Sequence, residues 1–455
     1  MPDLSPTLLG VTASLALFAI PSPAPADRLA DPLGPAQLAE LRARGPAALE
    51  ALLATYDHAD PLEREVLAGE IDAVAGQRYA TTSRLYWYTD LDRAKQAAHQ
   101  LHRPILALRM LGDLRADLSC ANSRLFRATL YANTEVSAFL RSHFVLYWSS
   151  ERAVPTVTID FGDGRQLVRT TTGNSAHYVL DEDGHVLDVL PGLYAPAVFQ
   201  HELAASLALA EQVRGMTADQ RIRVTVGYHA AALDATDRAW QAARRTSYVG
   251  GKQFLLGPGE LASALARAQR ATVSKMRIEV PDLRAIGVMR PGDVPDDTAA
   301  WSAIGQAAWD ITAPGPAPGA ATGPDADPQQ AVQLARRPAR AAEPVPPPMV
   351  LDAASRALVA RLHNAGPAGQ RASAAELDRV IARLEQHIVA DTALNQFTLR
   401  QQIRRRIVDR SDTELATLNA WIYDAVFATP ASDPWLGLRA RTDFTGLPGD
   451  GVMMR

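Results

Sequence analysis

The chain has 455 residues, enough for roughly two to four domains of ordinary size. Hydrophobic residues make up 47% and charged residues 21%, which excludes wholesale disorder, a collagen-like repeat and a polytopic membrane protein. A formal charge of −4 argues against nucleic-acid binding, and a single cysteine excludes an intrachain disulfide, a Cys-rich zinc site and a dithiol pair.

The N-terminal region combines features of two kinds of segment. Residues 8–20 form an apolar run followed by Ala24-Pro25-Ala26, a pattern typical of secretory signals. The residues before the run contain Asp3 and no lysine or arginine, so the basic region of a signal is missing. The run is also too short to span a bilayer comfortably. We therefore expect a cytoplasmic protein without an integral membrane span, and export to the periplasm is the alternative.

Helices and one strand are predicted over the next part of the chain. Leucines at helical spacing predict two helices between residues 34 and 76, the second capped by Asp60 before Pro61. Aromatic residues at 84–89 predict a short strand, and residues 90–102 predict a helix.

Alternating strands and helices follow, as in an α/β sandwich. The pattern predicts strands at 104–110 and 144–149, separated by one helix over 121–141. Two hairpins turn at glycine, within 156–171 and 176–189, and a long apolar helix covers 195–214.

The remainder reads mainly as helix. Residues 217–309 are predicted to be mostly helical, and the proline-rich segment 314–348 to be a linker. Beyond it, Ser373 and Ser411 are expected to begin two helices. The basic triplet from Arg404 to Arg406, with Asp409 nearby, predicts a solvated helix face.

The single thiol, Cys120, is predicted at or near a helix N-terminus. Unpaired backbone N–H groups and the helix dipole stabilise a thiolate there, and Arg124 could add to that effect. Two interpretations follow. Cys120 is either a nucleophilic or redox cysteine, or a buried residue that packs as a small hydrophobe.

Several segments around Cys120 match one known fold. Residues 104–108 match the strand before the active-site motif, and residues 133–145 match the helix and strand after it. Residues 178–184 and 190–192 match the final hairpin and its exit. This central part resembles the thioredoxin-like superfamily, in particular bacterial thioredoxin-like domains, and Cys120 corresponds to the attacking cysteine.

The motif departs from the family pattern at several positions. The family's C-x-x-C is Cys120-Ala121-Asn122-Ser123 here, as in monothiol members, so the resemblance makes dithiol reductase activity an unlikely property. Ser175 stands where a cis-proline is expected, and Ser119 where a tryptophan usually precedes the cysteine. In the family this segment faces the cysteine, so His177 could tune or deprotonate the thiol; the alternative is a strand histidine satisfied by a neighbour.

These observations predict a fold class and two functions. We expect an α/β protein with a thioredoxin-like central domain flanked by mainly helical segments. The first function is monothiol redox chemistry at Cys120, Ser123, Arg124, Ser175 and His177, with protein thiols or a small-molecule thiol as partners. The second is a non-catalytic scaffold or protein-binding module, so enzyme activity stays open. No metal or organic cofactor is expected. The predicted thioredoxin-like domain covers 83–214. It is preceded by an apolar, proline-rich segment at 1–33 and a helical segment at 34–82. It is followed by a mainly helical segment at 215–312, a linker at 313–349, a helical segment at 350–430 and an irregular tail at 431–455.

Overall fold

The structure is a computed structural model of a mixed α/β protein. It describes residues 32–170, 174–246, 248–249, 252–253, 298–312, 351–365 and 371–429, together with residues 432, 447 and 448. The predicted linker, the apolar N-terminal run and nearly all of the 431–455 tail lie outside these residues. In the described ranges, every helix is too short or too polar to cross a bilayer.

Three helices, not the predicted two, occupy the N-terminal part: α1 (Pro35–Ala43), α2 (Pro46–His58) and α3 (Pro61–Ala75). The predicted first helix is split because Gly45 adopts a φ of +80° and Pro46 starts a new helix. Asp60 caps α3 as expected, accepting hydrogen bonds from the N–H groups of Leu62 and Glu63.

The aromatic segment at 84–89 was predicted to be a strand and is not one. After a short helix, α4 (Ala80–Ser83), it runs as an extended connection in which only Tyr88 bridges to the sheet, at Tyr147. Its side chains serve packing instead, since Trp87 is fully buried. Helix α5 (Leu91–Leu101) follows as predicted, with Asp90 as its cap.

A four-stranded mixed sheet forms the centre of the molecule. Its strands are β1 (Ile105–Leu111), β2 (Val145–Arg152), β5 (Ser175–Leu180) and β6 (Val186–Pro191), in the order β2-β1-β5-β6. Strands β1 and β2 are parallel, whereas β5 is antiparallel to both β1 and β6. The two predicted hairpins are confirmed. One is the antiparallel pair β5–β6 of this sheet, and in the other β3 (Thr156–Asp160) pairs with β4 (Gln166–Thr170) in a separate ribbon.

The helix predicted over 121–141 is broken into pieces. Helix α6 (Ala121–Leu125) continues into a π-helical turn at Phe126–Leu130, and α7 (Thr134–His143) begins separately. Asn133 ends the continuity because its side chain accepts hydrogen bonds from the N–H groups of Glu135 and Val136. The break separates the segment that carries the cysteine from the helix that supports β2.

The remaining elements are mainly helical. Ser373 and Glu376 form the predicted capping box, but the helix near Ser411 is capped by Glu414, because Ser411 instead ends the preceding helix in a left-handed conformation. The short hairpin in this part was not predicted. The elements are α8 (Pro196–Val213), α9 (Ala218–Thr246), β7 (Tyr248–Val249), β8 (Lys252–Gln253), α10 (Thr298–Thr312), α11 (Ala353–His363), α12 (Ala374–Leu394), a π turn (Asn395–Leu399), α13 (Arg400–Arg410), α14 (Leu415–Trp421) and a π turn (Ile422–Val426).

The C-terminal helices share their core with the central sheet. One cluster of buried hydrophobic residues runs from Leu85 to Phe427 and includes strands β1, β2, β5 and β6. Two hydrogen bonds fix this packing: Tyr178 donates to Asn419 at 2.8 Å, and the N–H of Val186 donates to the carbonyl of Thr413 at 2.9 Å. The described C-terminal helices are therefore part of the body that contains the cysteine.

Replacing Gly192 with alanine is expected to lower the free energy of unfolding by about 2–4 kcal/mol. Gly192 has a φ of +75°, and an added Cβ would lie 2.5 Å from Nδ2 of Asn395, which is held by the carbonyl of Leu193. Gly164→Ala is the matched control, since Gly164 has a φ of +89° with open space around it. Urea denaturation of both variants separates the cost of the contact with Asn395 from the cost of a positive φ. Equal losses of unfolding free energy would show that the Asn395 side chain moves away at no cost.

Candidate functional site

The backbone after β1 places Cys120 at the start of a helix, as predicted. A loop over 112–119 leaves the strand through Gly112, whose φ is +83°. The chain then returns, so that the N–H of Cys120 donates to the carbonyl of Leu111 at 3.2 Å. Cys120 is the N-cap residue of α6 and is fully buried.

Two hydroxyl groups converge on the sulfur of Cys120. Its Sγ lies 3.4 Å from Oγ of Ser123 and 3.1 Å from Oγ of Ser175. Ser123 is one turn along α6, whereas Ser175 begins β5, opposite Met110 on β1. The sheet register and the helix start together bring the two predicted residues to the thiol.

A buried arginine extends this network and was not predicted. Nη2 of Arg127 donates to Oγ of Ser119 at 3.0 Å, and that oxygen lies 2.7 Å from Oγ of Ser123. Nη1 of Arg127 donates to the carbonyls of Leu114 and Ala116, so the side chain also ties down the loop. Burial lowers the pKa of the Arg127 guanidinium.

Arg124 reaches a different element. Its Nη2 donates to Oγ1 of Thr170 on β4 at 2.8 Å, which links α6 to the ribbon. The guanidinium that joins the serine network is therefore that of Arg127, three residues further along the π turn. The sequence offers only a weak signal that Arg127, and not Arg124, donates to the serine network, because the π turn shifts the helical register after Leu125.

His177 lies on β5 two residues after Ser175, and its hydrogen bond goes to Tyr131. Its Nε2 is 2.7 Å from the Tyr131 hydroxyl, and its ring packs against Phe126 and Phe199. Burial lowers the pKa of His177 to about 3, so the imidazole is neutral at physiological pH. The Nε2 contact is the one expected of a strand histidine satisfied by a neighbour, whereas Nδ1 of His177 is buried without a hydrogen-bond partner.

Residues near the C-terminus hold the backbone just before Ser175. Asn174 donates from Nδ2 to Oγ1 of Thr429 at 2.6 Å, and the hydroxyl of Tyr423 donates to the carbonyl of Asn174 at 3.3 Å. Arg152 donates to the carbonyl of Thr429 at 3.1 Å. These contacts join residues more than two hundred positions apart, so nothing local in the sequence indicates them.

One group of potential metal ligands occurs within the described ranges, at the β5–β6 turn. Asp181, Asp183 and His185 place ligand atoms within 4.8 Å of one another. The turn itself explains this arrangement, because Asp181 accepts from the N–H groups of Asp183 and His185 and pairs with Arg221. We assign no metal to it.

Taken together, the site is a buried thiol at a helix start, surrounded by hydroxyl groups and supported by a buried guanidinium. The thiol donates to Oγ of Ser123, which itself donates to Ser119 and to the Cys120 carbonyl. Ser175 is therefore the hydroxyl that can donate to a sulfur that becomes charged or oxidised. Comparison of the chain with protein-family models finds no match, and comparison with curated proteins and with solved structures finds no significant similarity.

Proposed function

We propose that the chain carries a thioredoxin-like domain in which Cys120 acts as a single redox-active thiol. The topology supports this proposal, because a strand, a cysteine-bearing helix, a parallel strand, a final antiparallel hairpin and a closing helix occur in the order that the resemblance implies. The inserted β3–β4 ribbon lies between β2 and β5.

The contact of two hydroxyl groups with Sγ of Cys120 carries the proposal. A cysteine that served only as a small hydrophobe would need no polar surroundings, yet Ser119, Ser123 and Ser175 are each fully buried beside it. Polar groups in such a place are costly unless they are hydrogen-bonded. Their arrangement here is suited to stabilising a thiolate or a sulfenate.

The burial of the thiol favours a small oxidant. Cys120 has no exposed surface, so a protein disulfide cannot reach it in this conformation, whereas a hydroperoxide is small enough to enter through a local opening. The thiolate attacks the terminal peroxide oxygen, the O–O bond breaks, and the departing oxygen takes up a proton and leaves as an alcohol or water. Cys120 is thereby oxidised to a sulfenic acid and the peroxide is reduced.

Reduction requires thiols from outside the chain. Ser123 cannot form a disulfide, so an external thiol displaces water from the sulfenic acid and makes a mixed disulfide. A second external thiol attacks that bond, releases the Cys120 thiol, and leaves as a disulfide with the first. Of the two partners expected from the sequence, a small-molecule thiol fits the buried site, because a protein thiol would meet the same barrier as a protein disulfide.

A non-catalytic scaffold is the second candidate function, and a separate observation favours it. The thiol is covered, and the neutral His177 is bonded to Tyr131. In this alternative the serine network is a polar element of the core, and the described helical segments provide a surface for a protein partner.

Peroxide treatment distinguishes the two candidates. We expect millimolar hydrogen peroxide to add one oxygen atom to the folded chain, trapped by a sulfenate-specific reagent and detected by intact mass. Because Cys120 is the single cysteine, Cys120→Ser should abolish trapping. Ser175→Ala should slow oxidation about tenfold, the value of one hydrogen bond to a charged group. Ser142→Ala on the exposed surface is the control.

The contrary result is equally clear. If the folded chain takes up no oxygen while the urea-unfolded chain is oxidised at Cys120, the thiol is inaccessible in the native state. The scaffold would then be the better description of this protein.

A further inference from the structure

A cavity lies among the helices, in a part of the molecule that the proposed redox function does not use. Its volume is about 270 Å³, and helices α8, α9, α10, α12 and α13 contribute to its walls. The lining includes six alanines and four aromatic rings, those of His201, Tyr228, Trp309 and Phe397. Small side chains on several packed helices leave room that a well-packed core would fill.

One charged side chain stands in this apolar wall with incomplete pairing. Arg404 is 3% exposed, and its Nε has no hydrogen-bond partner. Its Nη1 donates to Thr236 at 3.0 Å, but the nearest carboxylate oxygen, on Glu202, is 3.6 Å away. A buried guanidinium normally has close anionic partners on its planar donor face.

Arg400, one helical turn earlier, makes close ion pairs in the same place, although its Nε also has no hydrogen-bond partner. It is fully buried, and its two terminal nitrogens lie 2.6 Å from Asp188 and 2.6 Å from Glu202. The carboxylates correspondingly raise the pKa of Arg400 well above its usual value. The pKa of Arg404 is shifted in the opposite direction, because burial and the neighbouring Arg400 lower it. The carboxylate of Glu202 in the cavity wall therefore pairs closely with Arg400, at 2.6 Å, and more distantly with Arg404, at 3.6 Å.

The carboxylate that lines the cavity is already occupied. Glu202 accepts from Arg400 through Oε2 and from Gln396 through Oε1, at 2.6 and 2.9 Å. It is therefore a poor partner for a cationic ligand, which would have to displace one of these donors. An anionic group would instead meet the guanidinium of Arg404, whose nearest carboxylate oxygen lies 3.6 Å away.

We propose that this cavity binds a small monocarboxylate with an apolar body, its carboxylate on Arg404 and its body between Trp309 and Phe397. A carboxylate matches the planar donor geometry of a guanidinium, and the alanine-lined walls suit a hydrocarbon group. A cavity of roughly 150 Å³ holds benzene, so this one holds roughly ten non-hydrogen atoms, the size of benzoate or phenylpropionate. Ala235, which is exposed at the rim, gives the ligand a path from solvent.

The test measures binding to the full chain by calorimetry and thermal shift. The probes are benzoate, 3-phenylpropionate and 3-methylbutanoate, with benzamide, benzylamine and inorganic phosphate for comparison. We expect at least one carboxylate to bind, and Arg404→Gln to weaken that binding at least tenfold. Arg405→Gln is the matched control, because Arg405 is the exposed neighbour on the same helix.

A second variant covers the case in which Arg404→Gln fails to fold. Ala235→Phe adds a large side chain at the exposed rim of the cavity and is expected to block binding while leaving Arg404 in place. The proposal is overturned if none of the three carboxylates binds at millimolar concentration. It is also overturned if benzamide, benzylamine or phosphate binds as tightly as the best carboxylate, or if Arg405→Gln weakens binding as much as Arg404→Gln does.

Discussion

Replacing Arg400 with methionine is expected to lower the free energy of unfolding by about 3–5 kcal/mol. The change keeps most of the side-chain volume but leaves two carboxylates, Asp188 and Glu202, without their shared cation. Asp188 is fully buried, so water cannot take over the role of the guanidinium. Chemical denaturation at neutral pH measures the loss.

A surface ion pair with the same nitrogen–oxygen distance gives the control. Arg44 and Glu40 also lie 2.6 Å apart, but their side chains are 63% and 67% exposed. Arg44→Met should therefore cost about 0.5 kcal/mol or less. Adding Asp188→Asn to Arg400→Met should recover part of the loss, because it removes one of the unpaired buried charges. Similar losses for the two methionine variants would mean that the buried carboxylates are solvated in the native state.

The elements that sequence could predict are those encoded by near neighbours. The two hairpins follow from glycines at turns, and Gly162, Gly164 and Gly184 all have positive φ values. The capping box at Ser373 and the placement of Cys120 at a helix start depend on residues within one turn. The sequence analysis also placed Ser123 and Ser175 near the thiol, and the placement of Ser175 came from the family resemblance.

The elements that sequence missed depend on partners far along the chain. Arg404 was predicted to lie on a solvated face, because its neighbours Arg405 and Arg406 and the nearby Asp409 are typical of an exposed helix. It is buried instead, since α13 packs against α9 and strand β6. Nothing local to α13 indicates that Asp188, 212 positions away, pairs with Arg400.

The break after Leu125 illustrates a different failure. The sequence was predicted to form one helix over 121–141, yet Asn133 supplies a cap that starts a second one. The resulting π turn buries Arg127 and directs it toward Ser119. Arg127 thereby joins the serine network beside the thiol, whereas Arg124 donates to Thr170.

Two buried histidines should make the protein sensitive to mild acid. Burial lowers the pKa of His177 to about 3 and that of His229 to about 4. In the unfolded chain, histidine takes up a proton near pH 6.5. Between pH 6.5 and pH 4 the unfolded state therefore binds more protons than the folded state, and stability falls as the pH falls. Asp188 and Glu202, whose pKa values are lowered, lose stabilising charge only below the unfolded carboxylate range near pH 4.

His177→Gln is accordingly expected to flatten the pH dependence of stability between pH 6 and pH 4.5. Each buried neutral histidine contributes a slope of about 1.4 kcal/mol per pH unit there, so wild type should lose about 4 kcal/mol over this range and the variant about 2. Glutamine keeps a polar group as a partner for Tyr131. A loss of packing lowers the free energy of unfolding equally at every pH, so it does not change the slope against pH. His58→Gln, on an exposed end of α2, should leave the slope unchanged. Urea denaturation at four pH values measures the slopes; identical slopes for wild type and His177→Gln would show that His177 takes up a proton in the folded protein as readily as in the unfolded chain.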